Sequence, residues 1–174
     1  MTLRHSQAAS DSQSEIGRLY DEGILAAALL SCGYTLTRME QTESGSHEDK
    51  AQHIDAWLYT EELDRRLAVD FRGKLLKYWL NYREITFSDP QLSDPLSGFD
   101  LYIQYAIREH PAGEITRVKV IDGPGFRKYW RQGWQPTSCI EDGKGQRLLG
   151  WSFPSVRAKD LMLGGWKKPA TYDG

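Results

Sequence analysis

The sequence is poor in the residues that build the commonest special sites. It has two cysteines in 174 residues, Cys32 and Cys139. They form no C-x-x-C pair and no zinc spacing, so a disulfide framework and a structural zinc site are excluded. Both read as ordinary buried or half-buried thiols. Four histidines, at positions 5, 47, 53 and 110, give no recognisable Cys-His neighbourhood. No G-x-S-x-G, H-E-x-x-H or G-K-[ST] occurs, and Asp122-Gly-Pro-Gly125 reads as a turn, not a phosphate loop. No apolar run reaches the ~18–20 residues of a membrane span. Residues 1–13 lack the apolar core of a signal peptide, so a cytoplasmic protein without a membrane partner is expected. There are no repeats or heptads. Charge of one sign is also missing: 22 basic against 24 acidic side chains give a net −2, which excludes a histone-like binder.

What is present suits one soluble domain. Charged residues make up 26% and hydrophobic ones 40%, and at this length about two-thirds of the unfolded surface can be buried. Residues 1–87 carry 10 basic and 14 acidic side chains, and residues 88–174 carry 12 and 10. The near-neutral total thus divides into an acidic half and a mildly basic one.

Residues 1–13 read as a flexible N-terminal arm, with residues 14–174 as the single domain. Ser12-Gln-Ser-Glu15 fits a capping box, and Ile16, Leu19, Tyr20, Ile24, Ala27 and Leu30 recur at helical spacing, which predicts a helix over 14–32. Strands are predicted over 34–40, 53–59, 65–72, 77–87, 99–108 and 114–121, with short helices over 126–132 and 155–163. Residues 41–52 and 88–98 read as loops. The fold class is α+β: an N-terminal helix packed on a central mixed β-sheet.

The segment His53–Lys74 (HIDAWLYTEELDRRLAVDFRGK) carries the chemistry. Strand alternation points Asp70, Arg72 and Lys74 to one face, and Asp55 on the neighbouring strand can face them. Two carboxylates beside cations form a potential site for Mg²⁺ or Mn²⁺, which take carboxylate oxygens and keep waters and substrate phosphates. Each residue also has a plainer use: Asp55 solvent-facing, Asp70 paired with Arg72, His53 at the surface, and Glu22 in a solvated face with Arg18. Phe126-Arg-Lys-Tyr-Trp-Arg131 mixes cations with aromatics. Arg127, Lys128, Trp130 and Arg131 would serve a nucleic-acid backbone, or the segment is an ordinary amphipathic helix.

This segment resembles the PD-(D/E)xK nuclease superfamily, in its small phage and bacterial branch, over about residues 14–87. The resemblance implies a restriction-endonuclease-like core and metal-dependent phosphodiester hydrolysis of nucleic acid. Asp55 would match the first acid and Asp70 the second. Glu22 or Glu15 would match the helical glutamate as a further metal ligand. Arg72 stands where the family has lysine. Arginine holds a phosphate but cannot act as a base, so Lys74 would substitute for it. Otherwise the protein is an inactive relative that binds nucleic acid or inhibits another protein.

Overall fold

The computed structural model describes residues 3–43, 46–47, 52–93, 97–110, 113–141, 145 and 147–153. The chain begins with two helices, α1 (Leu3–Asp21) and α2 (Ile24–Ser31). The predicted helix over 14–32 therefore starts earlier, within the segment read as an arm, and breaks in the middle. Gly23, with φ 75°, makes the break, since a residue without Cβ takes that conformation freely. Ile16, Leu19, Leu25, Ala28 and Leu29 form the apolar stripe that faces the sheet.

That sheet has five strands: β1 (Leu36–Gln41), β2 (Ala56–Thr60), β3 (Leu67–Leu75), β5 (Leu101–Ile107) and β6 (Ile115–Asp122), in the order β1-β2-β3-β5-β6. β1, β2 and β3 run as an antiparallel meander. β5 lies parallel to β3 and β6 antiparallel to β5, so the sheet is mixed. β5, flanked by β3 and β6, is buried at all seven residues, which is why its sequence reads as a nearly continuous apolar run.

Between β3 and β5 lie α3 (Leu76–Tyr82), β4 (Glu84–Ser88) and α4 (Asp89–Ser93). The strand predicted over 77–87 is thus corrected to a helix followed by a strand. Aromatic content favoured a strand, but Leu76 and Trp79 sit one helical turn apart and both pack on the second core, while Tyr78, Leu80 and Tyr82 are exposed. Arg83, with φ 47°, ends the turn. The loop predicted over 88–98 contains α4. Asp122 does not simply punctuate: it caps α5 (Gly123–Arg131), its carboxylate accepting from Gly125 N at 3.4 Å.

Two short strands without a counterpart in the sequence reading, β7 (Ser138–Glu141) and β8 (Arg147–Ser152), join β4 in a second sheet of order β4-β8-β7. This sheet, α3 and α5 cover the face of the large sheet opposite α1 and α2, around Phe87, Tyr102, Phe126 and Trp151. The molecule is one α+β domain with a core on each side of its main sheet. Cys32 is buried and Cys139 exposed, and no disulfide joins them. The helix predicted over 155–163 and the C-terminal Trp166 lie outside the described residues.

Candidate active site

Side chains alternate along β3. Val69 and Phe71 join the core under α1, and Asp70, Arg72 and Lys74 point to the other face. The ladder between β2 and β3 ends at Ala56 with Val69. One step further stand Asp55 and Asp70, and β3 then runs on to Leu75 without β2 beside it. Asp55 replaces the missing ladder contact, its Oδ2 accepting from Phe71 N at 2.7 Å. The site therefore sits at the fork where two strands part.

Asp55 and Asp70 are hydrogen-bonded to each other through their side chains. Burial, the Asp55 charge and the hydrogen bond with Asp55 hold the Asp70 carboxyl well above its ordinary range, against the smaller opposing pulls of Gln91 and Arg72. Gln91 Nε2 donates to Asp70 Oδ2 at 2.5 Å, and Gln91 Oε1 accepts from Ser88 N at 2.7 Å. That backbone contact fixes the amide so that its NH₂ meets the carboxylate. Arg72 is hydrogen-bonded to the Tyr102 hydroxyl, which in turn donates to the Thr86 carbonyl. Lys74 Nζ donates to the Glu84 carbonyl at 3.0 Å and to Thr86 Oγ1 at 2.5 Å. Burial, then Arg72, lowers the Lys74 ammonium from 10.5 to about 8, with Glu84 opposing.

Arg72 and Lys74 open onto a cleft of about 630 Å³ that runs along the unpaired edge of β3 between α3 and the second sheet. Asp70, only 6% exposed, lies behind this lining and Asp55 is half-buried.

Glu22 is exposed, pairs with Arg18 one turn earlier at 3.5 Å, and belongs to the helical layer on the opposite face of the sheet. The other helical candidate, Glu15, is 2% exposed on that same layer. Its Oε1 accepts from the Tyr105 hydroxyl at 2.7 Å, and its Oε2 lies 2.7 Å from His110 Nδ1, whose ring reaches the cleft. Among the described residues no group of three or more His, Cys, Asp and Glu converges as a metal would require of a wholly protein-built cage.

Segment 126–131 splits. Phe126 is fully buried and Trp130 packs edge-on against Trp151, ring centres 5.9 Å apart. Arg127 donates to the Phe99 carbonyl at 3.0 Å and lies over the Phe99 ring, and burial lowers its pKa. Lys128 and Arg131 stay exposed. Of the expected nucleic-acid strip, Trp130 therefore packs on the second core.

Sequence reasoning missed Gln91, Thr86, Tyr102, Glu15's partners and His110. No spacing links Gln91 to Asp70 or His110 to Glu15. Only the glutamine inside the apolar run of β5 was a legible signal of a buried polar contact: Gln104 Nε2 donates to the Glu84 carbonyl and its Oε1 accepts from Thr86 N.

Compared with models of known families and with curated proteins, the sequence matches none. Among the described residues no helix is long and apolar enough to cross a membrane.

Proposed function

We propose that this chain is a Mg²⁺- or Mn²⁺-dependent nuclease of the PD-(D/E)xK type. The observation that carries the reading is the Asp55–Asp70 pair at the β2–β3 fork, with Arg72 and Lys74 following on the same face. The element order supports it too: a leading helix, an antiparallel three-strand meander, and a strand parallel to β3 reached by a crossover.

The donor set fits a hard divalent cation. Two adjacent carboxyls, one held above its ordinary range by burial and by the other's charge, are a poor arrangement for two anions and a good one around a cation, and Mg²⁺ takes one or two carboxylates and fills its shell with water and phosphate oxygens. Asp55 and Asp70 would hold it; once bound, it would neutralise phosphate charge and acidify water. Gln91 orients Asp70. Arg72, permanently charged, holds and aligns a phosphate without moving protons. Lys74, with its ammonium near 8, is the amine on this face able to take up a proton at mildly alkaline pH. Lys128 and Arg131 are exposed cations available to a backbone.

Cleavage of single- and double-stranded DNA and RNA with Mg²⁺ or Mn²⁺ tests the reading. The wild type is expected to cut at least one substrate, and Asp55→Asn and Asp70→Asn to lose about 100-fold or more, the scale of removing a main electrostatic element. A wild type that cuts nothing, or an Asp70→Asn that cuts equally well, sinks it.

A second reading, a nuclease-fold protein that binds nucleic acid or a protein without cutting, is favoured by three observations. Arg72 stands where the family has lysine, Lys74 is tied to the edge of β4, and Asp70 is enclosed. Calorimetry separates the two, because the inactive protein shows no Mg²⁺ heat that depends on Asp55 and Asp70.

A further inference from the structure

Five large hydrophobic side chains are exposed among the described residues, and three of them, Tyr78, Tyr82 and Ile140, line the cleft that Arg72 and Lys74 open onto. Tyr78 is 45% and Tyr82 64% exposed. The two rings lie one turn apart on α3, centres 6.2 Å apart and planes at 28°, forming a stepped aromatic wall. The Lys77 ammonium stands 4.9 Å from the Tyr78 ring centre, adding a cation at the rim. The opposite wall is apolar, from Ile140 and Leu148. The charged lining residues are two cations, Arg72 and Lys74, and one anion, Glu84, whose carboxylate accepts from the Ser138 hydroxyl at 3.0 Å. At about 630 Å³ the cleft is of small-ligand size.

Flat apolar walls beside a pair of cations match one chemical shape, a planar base carrying a phosphate. We propose that the cleft takes an unpaired nucleotide of a single strand, its base against Tyr78 and Tyr82 and its phosphate at Arg72. The proposal rests on the nuclease reading for its substrate class and narrows it. Bases in a duplex are covered on both faces by their neighbours, whereas a single strand offers a free face for stacking, with no preference for one base. Aromatic side chains left largely in water on a short helix cover further apolar surface by stacking on such a ligand.

The test is equilibrium binding of the full chain to labelled single-stranded DNA, single-stranded RNA and a blunt DNA duplex of the same sequence, by fluorescence anisotropy in EDTA so that nothing is cut. The single strands are expected to bind more tightly than the duplex. Tyr78→Ala with Tyr82→Ala should weaken single-strand binding by about 10- to 100-fold, from stacking worth roughly 1–3 kcal/mol per base. Duplex binding should not change, and the double Tyr→Phe variant should bind like wild type. Tyr82→Ala alone, at the more exposed site, gives the same direction if the double variant melts early. Comparison of the DNA and RNA arms names the source of the nucleotide. Equal affinity for duplex, no binding of either single strand, or alanine variants that bind like wild type would overturn the proposal. A wild type that binds single strands through the tyrosines but never cuts defeats hydrolysis and leaves the cleft standing. One that cuts yet ignores the alanine substitutions defeats the cleft alone.

Discussion

Burial, together with Arg72 one pleat away, brings the Lys74 ammonium from 10.5 down to about 8. The unfolded chain then holds this proton more tightly than the folded one. Below about pH 8 the folded state carries the full cost of a buried charge, and that cost is relieved as pH rises toward 10.5. Stability should therefore rise by about 3 kcal/mol across that window. Denaturant unfolding of wild type and Lys74→Met from about pH 7 to 10.5 checks this: the wild type gains on the variant, and parallel curves refute it. On the other face, Glu15 is a buried carboxylate whose two oxygens meet Tyr105 and His110. Glu15→Ala should cost about 2–4 kcal/mol and Glu15→Gln less, because the amide still accepts from Tyr105. Thermal melts of the two variants would show the order. Gly73 is glycine for a steric reason: a Cβ there would stand 2.9 Å from the Tyr105 ring. Asp70, Arg72 and Lys74 were legible as one face because strand alternation needs only local sequence. The approach of Asp55 to Asp70 was not, because it depends on register between two strands.

At the scale of elements, the second sheet is held to the first by side chains as well as by its core. β4 is an edge strand of its own sheet, and its free edge is met by Lys74, Tyr102 and Gln104, which bond Glu84 and Thr86. Gln104 is fully buried, so Gln104→Leu takes the side-chain partner from Thr86 N and leaves the Glu84 carbonyl only its bond from Lys74, and should cost about 1–3 kcal/mol. Hydrogen exchange should show β4 and β8 opening first in that variant; equal protection with wild type would contradict the tie. The same arrangement explains the misread stretch 77–87. Its aromatic residues fit a strand by composition, but Trp79 reaches Phe153, ring centres 5.2 Å apart, only from a helix. β7 and β8 escaped notice because each is short and mostly exposed or half-buried at its start, so neither shows a strong period.

For the whole molecule, the acidic first half supplies the carboxylates at the fork, but the basic–aromatic segment of the second half divides, Phe126 and Trp130 packing on the core while Lys128 and Arg131 stay exposed. Metal binding at Asp55 and Asp70 should stabilise the entire domain, since a ligand of the folded state alone adds RT ln(1 + [L]/Kd). At ten times its Kd, Mg²⁺ should add about 1.4 kcal/mol and raise the melting temperature by roughly 3–5 °C. Asp55→Asn should abolish the rise. An identical rise in the variant would place the ion elsewhere.

Local pattern alone determined the α+β class, five of the strands and the common face of Asp70, Arg72 and Lys74, because helical and strand periods are written in neighbouring residues. Tertiary structure alone decided that β3 outruns β2 at Asp55, that Glu15 serves Tyr105 and His110 while Glu22 faces solvent, and that Tyr78 and Tyr82 flank Arg72 in a cleft. Those outcomes depend on contacts between residues up to 95 positions apart, and no periodicity within one segment encodes them.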